Sequence, residues 1–283
     1  MIVLARVALL EALGHPVTLL LTLASVVVTL ALPMLQFQQF TEDGRLARDC
    51  GLSTAMLIGL VLAAGGACRL TRALQDGTAA LALTKPFSRS LWLCGHAAGT
   101  ALSLALYLFA QGGAVLVAEW CSPRYHAGER FANARVLGVA IALTAGALAL
   151  AALNHRFRRG RFLLTASLLL PLGLWGMCCV LPGIHWGSLS ALAAIGLWLA
   201  QATACAAALA VFCPPGVTVG LTLAFSAVAM AFFGGSAYLP LDRLADGGAV
   251  PWRVLAALTP QSVCATVCFL WCGAQALRIR EVS

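Results

Sequence analysis

Eight blocks of apolar residues, each long enough to cross a bilayer as a helix, constrain this chain more than any other feature. They run at about 17–37, 51–68, 91–118, 136–153, 162–182, 188–212, 216–237 and 254–277. At about 1.5 Å of rise per residue, roughly 20 apolar residues match the hydrocarbon thickness of a membrane. The apolar residues form continuous blocks rather than the spaced stripe of an amphipathic helix on a soluble core. Composition agrees, with 61% hydrophobic and 10% charged residues, where a soluble domain carries roughly 25% charged. Too little polar surface remains to coat a water-soluble globule of 283 residues. The expected fold is an all-α polytopic helix bundle, a single transmembrane domain over residues 1–283. Six to eight spans are expected. The fourth block is short, and only Cys213-Pro214-Pro215-Gly216 divides the sixth from the seventh.

The net charge of +8 sits in the connections between blocks, where it reports topology rather than a nucleic-acid surface. With the N-terminus inside and eight crossings, eleven of the eighteen basic residues lie inside and seven outside. Basic residues favour the cytoplasmic side, so both termini are expected there. The densest basic run, His155-Arg156-Phe157-Arg158-Arg159-Gly160-Arg161, then lies inside. The 119–135 connection runs against the rule, placing three arginines outside. Arg6 and Glu11 interrupt the first apolar run and no small-residue cleavage site follows, so residues 1–13 do not read as a signal peptide. They read as a short amphipathic helix along the cytoplasmic interface, with Gly14-His15-Pro16 turning the chain into the bilayer.

Chemistry-bearing residues are sparse. Most of the eleven cysteines fall inside apolar blocks, where they act as small packing residues rather than a disulfide framework. Cys264, Cys268 and Cys272 share a helix face without a His, Asp or Glu beside them, which favours helix packing over metal binding. Cys50 and Cys121 are the pair placed to face the outside. His126, Glu129 and Glu119 are the one candidate acid–base or metal group, and scattered loop polarity is the simpler account. No H-E-x-x-H or G-x-S-x-G pattern occurs. Within the spans the strong polar side chains are Gln111, Gln201 and Gln261. They read as interhelical hydrogen-bond partners, and their scarcity argues against an ion-coupled carrier. No catalytic, cofactor-binding or metal-binding residue is assigned, and the chain is not read as an enzyme.

The longest non-apolar stretch, about residues 69–90, carries the most information. A helix continues from the second span and breaks at Asp76-Gly77. A short apolar helix follows over Thr78–Leu83, and Lys85-Pro86-Phe87-Ser88-Arg89 leads into the next span. Asp76 or Thr78 suits the cap of the short helix, and Pro86 ends it by forcing Lys85 out of helical geometry. An ordinary solvated loop would not need the apolar Ala79–Leu83 run. Such a helix suits docking into a partner's groove.

This pattern resembles the permease subunits of ABC type-2 transporters, in a longer multi-span bacterial branch. The matching positions are Asp76, Gly77, Thr78, Leu83, Lys85, Pro86, Ser88, Arg89 and Gly95, with Phe87 at the hydrophobic place between proline and serine. His96 departs from the lysine usual after that glycine. The resemblance implies that 76–89 is a coupling helix contacting a separate ATPase subunit. His155, Arg156, Arg158 and Arg159 would form a second cytoplasmic contact. It further implies an exporter subunit of a bacterial cytoplasmic membrane, dimeric with itself or a related permease. ATP would bind to the partner: no G-x-x-x-x-G-K-[ST] occurs, and the sole lysine, Lys85, precedes a proline. A non-transporting membrane scaffold is the alternative expectation.

Overall fold

In the bilayer every backbone amide must find its partner within the protein, and a helix does this locally. The computed structural model describes residues 2–35, 44–76, 88–122, 124–126, 129–131, 133–158, 161–233 and 250–279. Its helices are α1 (Ile2–Leu13), α2 (Pro16–Leu35), α3 (Arg45–Gln75), α4 (Arg89–Cys121), α5 (Ala134–Arg158), α6 (Phe162–Val180), α7 (Ser188–Phe212), α8 (Pro215–Phe233) and α9 (Trp252–Ile279). A short antiparallel hairpin, β1 (Arg124–His126) with β2 (Glu129–Phe131), sits in the connection after α4. Seven of these helices, α2 to α7 and α9, are long and apolar enough to cross a membrane, which gives an all-α polytopic bundle. In α8 the apolar run Pro215–Val228 is shorter. Pro215 opens that helix rather than breaking one, a position where its missing N–H costs nothing.

Two helices exceed 30 residues. With 31 and 33 residues, α3 and α4 are about 46 and 50 Å long, so their ends project past a hydrocarbon layer of about 30 Å. α4 is the hub, packing against α1, α2, α3, α6, α7 and α9, and α7 closes the bundle against α3, α8 and α9.

Small residues permit this density. A Cβ at Gly66 would lie 2.3 Å from Thr100 Cγ2, and one at Gly59 would lie 2.5 Å from Leu199 Cδ1. These close approaches seat α3 on both α4 and α7. Helix α1 packs along the bundle with one face outward. Its large apolar residues Ile2, Val3 and Val7 are exposed, and its alanines Ala5, Ala8 and Ala12 are buried. Ala5 and Ala8 lie on Gly99 of α4, where a Cβ would stand 2.5 Å from Ala8 Cβ and 2.7 Å from the Ala5 carbonyl, and Leu4 Cβ would stand 2.6 Å from a Cβ at Gly95. The helix is thus bolted to α4 through a small-residue seam rather than by its bulky face.

The buried hydroxyls Thr22, Thr71, Thr144, Thr203 and Thr222 each donate to a carbonyl four residues back, which satisfies them inside their own helix. One polar cluster instead crosses between helices. Gln111 of α4 donates to Thr29 Oγ1 of α2 at 2.6 Å and to the Gly51 carbonyl of α3 at 3.1 Å. It accepts from Ser25 Oγ of α2 at 2.9 Å. Ser25 also meets the Tyr107 hydroxyl at 3.0 Å. Gln111 is fully buried and is the interhelical partner its type suggested. Gln201 is half-buried and Gln261 exposed.

The cysteines divide. Cys178 and Cys205 are buried packing residues as expected, whereas Cys179, Cys264, Cys268 and Cys272 lie exposed on the bundle surface. Cys50 and Cys121 are both free thiols.

Two substitutions check this account in detergent melting experiments. Gln111→Leu should lower stability by about 1–2 kcal/mol, since it removes three buried interhelical hydrogen bonds, to Ser25, Thr29 and the Gly51 carbonyl. Gly99→Ala should cost about 1–3 kcal/mol by overpacking against α1. Gly176→Ala, where an added Cβ meets no atom within 4 Å, should leave the melting point unchanged or raised.

Candidate functional site

The 76–89 stretch is visible at its two anchors. Gly77, Thr78, Leu83, Lys85, Pro86 and Phe87 lie outside the described residues, as does Arg159. Asp76 closes α3 as its C-cap, its N–H bonded to the Arg72 carbonyl at 2.8 Å. Ser88 is the N-cap of α4, its hydroxyl accepting from the Leu91 N–H at 3.3 Å. The serine in the Lys-Pro-Phe-Ser-Arg turn therefore has a local role, satisfying one of the free amides at a helix start.

Arg89 reaches sideways to α9. Its Nη1 donates to the carbonyls of Leu277 at 3.2 Å and Arg278 at 3.4 Å. A cation on the last carbonyls of a helix satisfies groups that lack intrahelical partners and opposes the negative end of the helix dipole. The contact fastens the start of α4 to the end of α9, a function that sequence spacing across 188 residues does not disclose.

Behind these anchors lies a buried cluster shared by four helices. Leu70 and Leu74 of α3 meet Trp92 and Leu93 of α4, Ala206, Ala210 and Val211 of α7, and Ala274 and Leu277 of α9. Gly273 of α9 lets that helix approach, since a Cβ there would stand 3.0 Å from both Ala208 Cα and Leu93 Cδ2. Thr71 also donates to the Ala210 carbonyl of α7 at 3.4 Å. The last turn of α3 and the first turn of α4 are therefore embedded in one packed body, and cores of this density transmit displacement instead of absorbing it.

His96 stands one helical turn from Trp92, their rings 5.5 Å apart between centroids. Glu11 of α1 and Arg69 of α3 are the charges that act on it. The position that departs from the family pattern thus faces neighbouring helices. His155 and Arg156 are exposed at the end of α5, and Arg158 is its last residue. Together with exposed Arg161, the N-cap of α6, they place a basic turn at the same end of the bundle as Asp76 and Arg89. Asn154 spans that turn, donating to Thr165 Oγ1 at 3.0 Å.

At the opposite end, Glu119 is committed to structure. It pairs with Arg48 of α3 at 3.3 Å and accepts from Ser188 Oγ of α7 at 2.7 Å. His185 Nδ1 lies 4.0 Å away. Gly44, with φ of +80°, presses against Glu119, and a Cβ there would come within 2.9 Å of its Cγ and its carbonyl. In the hairpin, His126 faces Glu129 across the register. The three residues weighed as an acid–base group therefore divide between a helix-linking ion pair and a hairpin. Among the described residues, no group of three His, Cys, Asp or Glu side chains is placed to hold a metal.

The Arg89 contact has a local test. Arg89→Ala should raise amide hydrogen exchange over residues 274–279 several-fold, equivalent to on the order of 1 kcal/mol for an exposed charged hydrogen bond, while residues 206–211 keep their protection. Comparison with family models, with curated proteins and with solved structures finds no match to this chain.

Proposed function

We propose that this chain is the membrane-spanning permease subunit of an ATP-driven ABC type-2 exporter in a bacterial cytoplasmic membrane. Both termini would be cytoplasmic, and a separate ATPase would dock on residues 76–89. The observation that carries this reading is the setting of the segment's two ends. The motif begins at the C-cap of α3 and ends at the N-cap of α4, and both turns are packed into one buried cluster with α7 and α9. Arg89 adds a direct tie to the end of α9. A force applied by a partner at 77–87 would enter four spans at once. In this reading ATP closes two ATPase subunits, the coupling segments follow, and the spans of a permease pair rock against each other. The apolar, charge-poor spans favour a lipidic or amphipathic cargo, or mechanical work on partners across the membrane. The turn at His155, Arg156, Arg158 and Arg159 would be the second contact with the ATPase.

One observation favours the scaffold reading. The fully buried Gln111 has both amide functions in helix–helix hydrogen bonds, so it stiffens the bundle rather than lining a path.

Co-purification from membranes with ATPase subunits of the same genome decides between these readings. Gly77→Pro and Lys85→Glu should each abolish capture of the ATPase while leaving the size-exclusion profile unchanged. Arg89→Glu should also abolish it, and should in addition loosen α9. If an ATPase is retained by the Gly77 and Lys85 variants, or none is captured by the wild type, the transporter reading fails and the scaffold reading replaces it.

A further inference from the structure

The outer hairpin of helices α5 and α6 carries a feature that the coupling segment does not use. An apolar groove of about 540 Å³ runs between the two helices, lined by Leu143, Gly146 and Leu150 on one side and by Leu169, Leu172 and Gly173 on the other. That volume falls within the roughly 300–1,000 Å³ of small-molecule sites. Its depth comes from absent side chains. A Cβ at Gly146 would meet nothing within 4 Å, and one at Gly173 would only touch Leu143 Cβ at 4.0 Å.

The same two helix faces change character toward the basic turn. On α5 the positions Gly146, Leu150, Asn154 and Arg158 follow at steps of four, and on α6 Gly173, Leu169, Thr165 and Arg161 do the same in reverse. Residues four apart share a helix face. The apolar groove therefore leads to the Asn154–Thr165 hydrogen bond and then to a pair of arginine positions, with exposed Arg156 beside them. Two four-residue steps separate Leu150 from Arg158 and Leu169 from Arg161, about 12 Å along each helix.

An apolar slot ending in arginines at a helix terminus matches an amphiphile with an anionic head. Guanidinium groups pair with phosphate oxygens through bidentate charge-assisted hydrogen bonds, and basic sites between spanning helices are suited to acidic lipid headgroups. We propose that the α5–α6 groove binds one anionic phospholipid, its acyl chain against Gly146 and Gly173 and its phosphate at the arginine positions that end α5 and cap α6. The proposal depends neither on an ATPase partner nor on which side of the membrane the turn faces.

Native mass spectrometry of the full-length purified protein in detergent reads this directly, with no ATPase present. The probes are phosphatidylglycerol and phosphatidylcholine carrying the same acyl chains. A single phosphatidylglycerol should be retained in preference to phosphatidylcholine. Replacing both Arg158 and Arg161 by glutamine should weaken retention about 30-fold, as expected for two basic residues near a phosphate. Gly146→Leu and Gly173→Leu, made singly so that one suffices if the other fails to fold, should fill the groove and weaken retention to a similar extent. Equal retention of phosphatidylcholine overturns the proposal. So does loss with the arginine pair but not with either leucine, or displacement of the lipid by millimolar inorganic phosphate, since each marks a headgroup contact without the groove.

Discussion

Close approach of helix backbones at small residues is the interaction on which this bundle rests. In lipid an apolar side chain gains little by leaving the hydrocarbon for a protein interface, so the water-driven term that assembles soluble cores is largely missing. What remains is van der Waals density, and density requires that backbones come near. Gly59, Gly66, Gly95 and Gly99 supply this along α3 and α4, each in a place where even a methyl group would collide with the neighbouring helix. The alanine face of α1 and the alanines of α7 extend the same principle. Because α4 takes part in most of these seams, its placement sets that of α1, α2, α3 and α7 together.

Hydrogen bonds between helices then fix what packing alone leaves degenerate. Small-residue seams permit sliding, since one glycine or alanine resembles the next. The cluster of Gln111, Ser25, Thr29 and Tyr107 permits none, because each donor has a partner at a defined level of α2, α3 and α4. The Arg48–Glu119–Ser188 contacts register α3, α4 and α7 at one end, and Arg89 on the α9 carbonyls registers the other. Few charges are present, and several of them act as pins between helices at the bundle's two ends.

The spans were legible because bilayer thickness imposes a length on an apolar block that sequence alone displays. The expected block at 188–212 coincides with α7, and the others differ by at most five residues at either end except at α3. That helix continues past its apolar core through Arg45–Cys50 and Arg69–Gln75, polar turns that hydropathy assigns to loops although they stay helical outside the hydrocarbon. The docking of α1 was illegible for a different reason. An interfacial helix is expected to leave apolar residues such as Ile2, Val3 and Val7 outward, but which residues meet the bundle depends on the partner surface, and there Gly95 and Gly99 admit a small-residue face. At the candidate site, the capping serine followed from residue type and position. The bond from Arg89 to residues 277 and 278 did not, since long-range pairing leaves no trace in local spacing.

Ser88 and Arg89, at the end of the 76–89 stretch, both hold this chain's own helices in place. A residue in a family motif is readily credited with contacting the partner, but here the last two positions of the turn have structural work within the chain: one begins α4 and the other holds α9. In the proposed reading, partner contact would fall to the positions between Gly77 and Phe87, and Arg89 would pass their displacement to a second helix. Such a division suits a mechanical coupler. A segment that only recognised a partner would need accessible side chains and nothing more. A segment that must move spans needs its ends clamped, since a force applied between slack anchors is lost in the connection. Clamping at both α3 and α4, with α7 and α9 in the same cluster, meets that mechanical requirement whichever partner supplies the force.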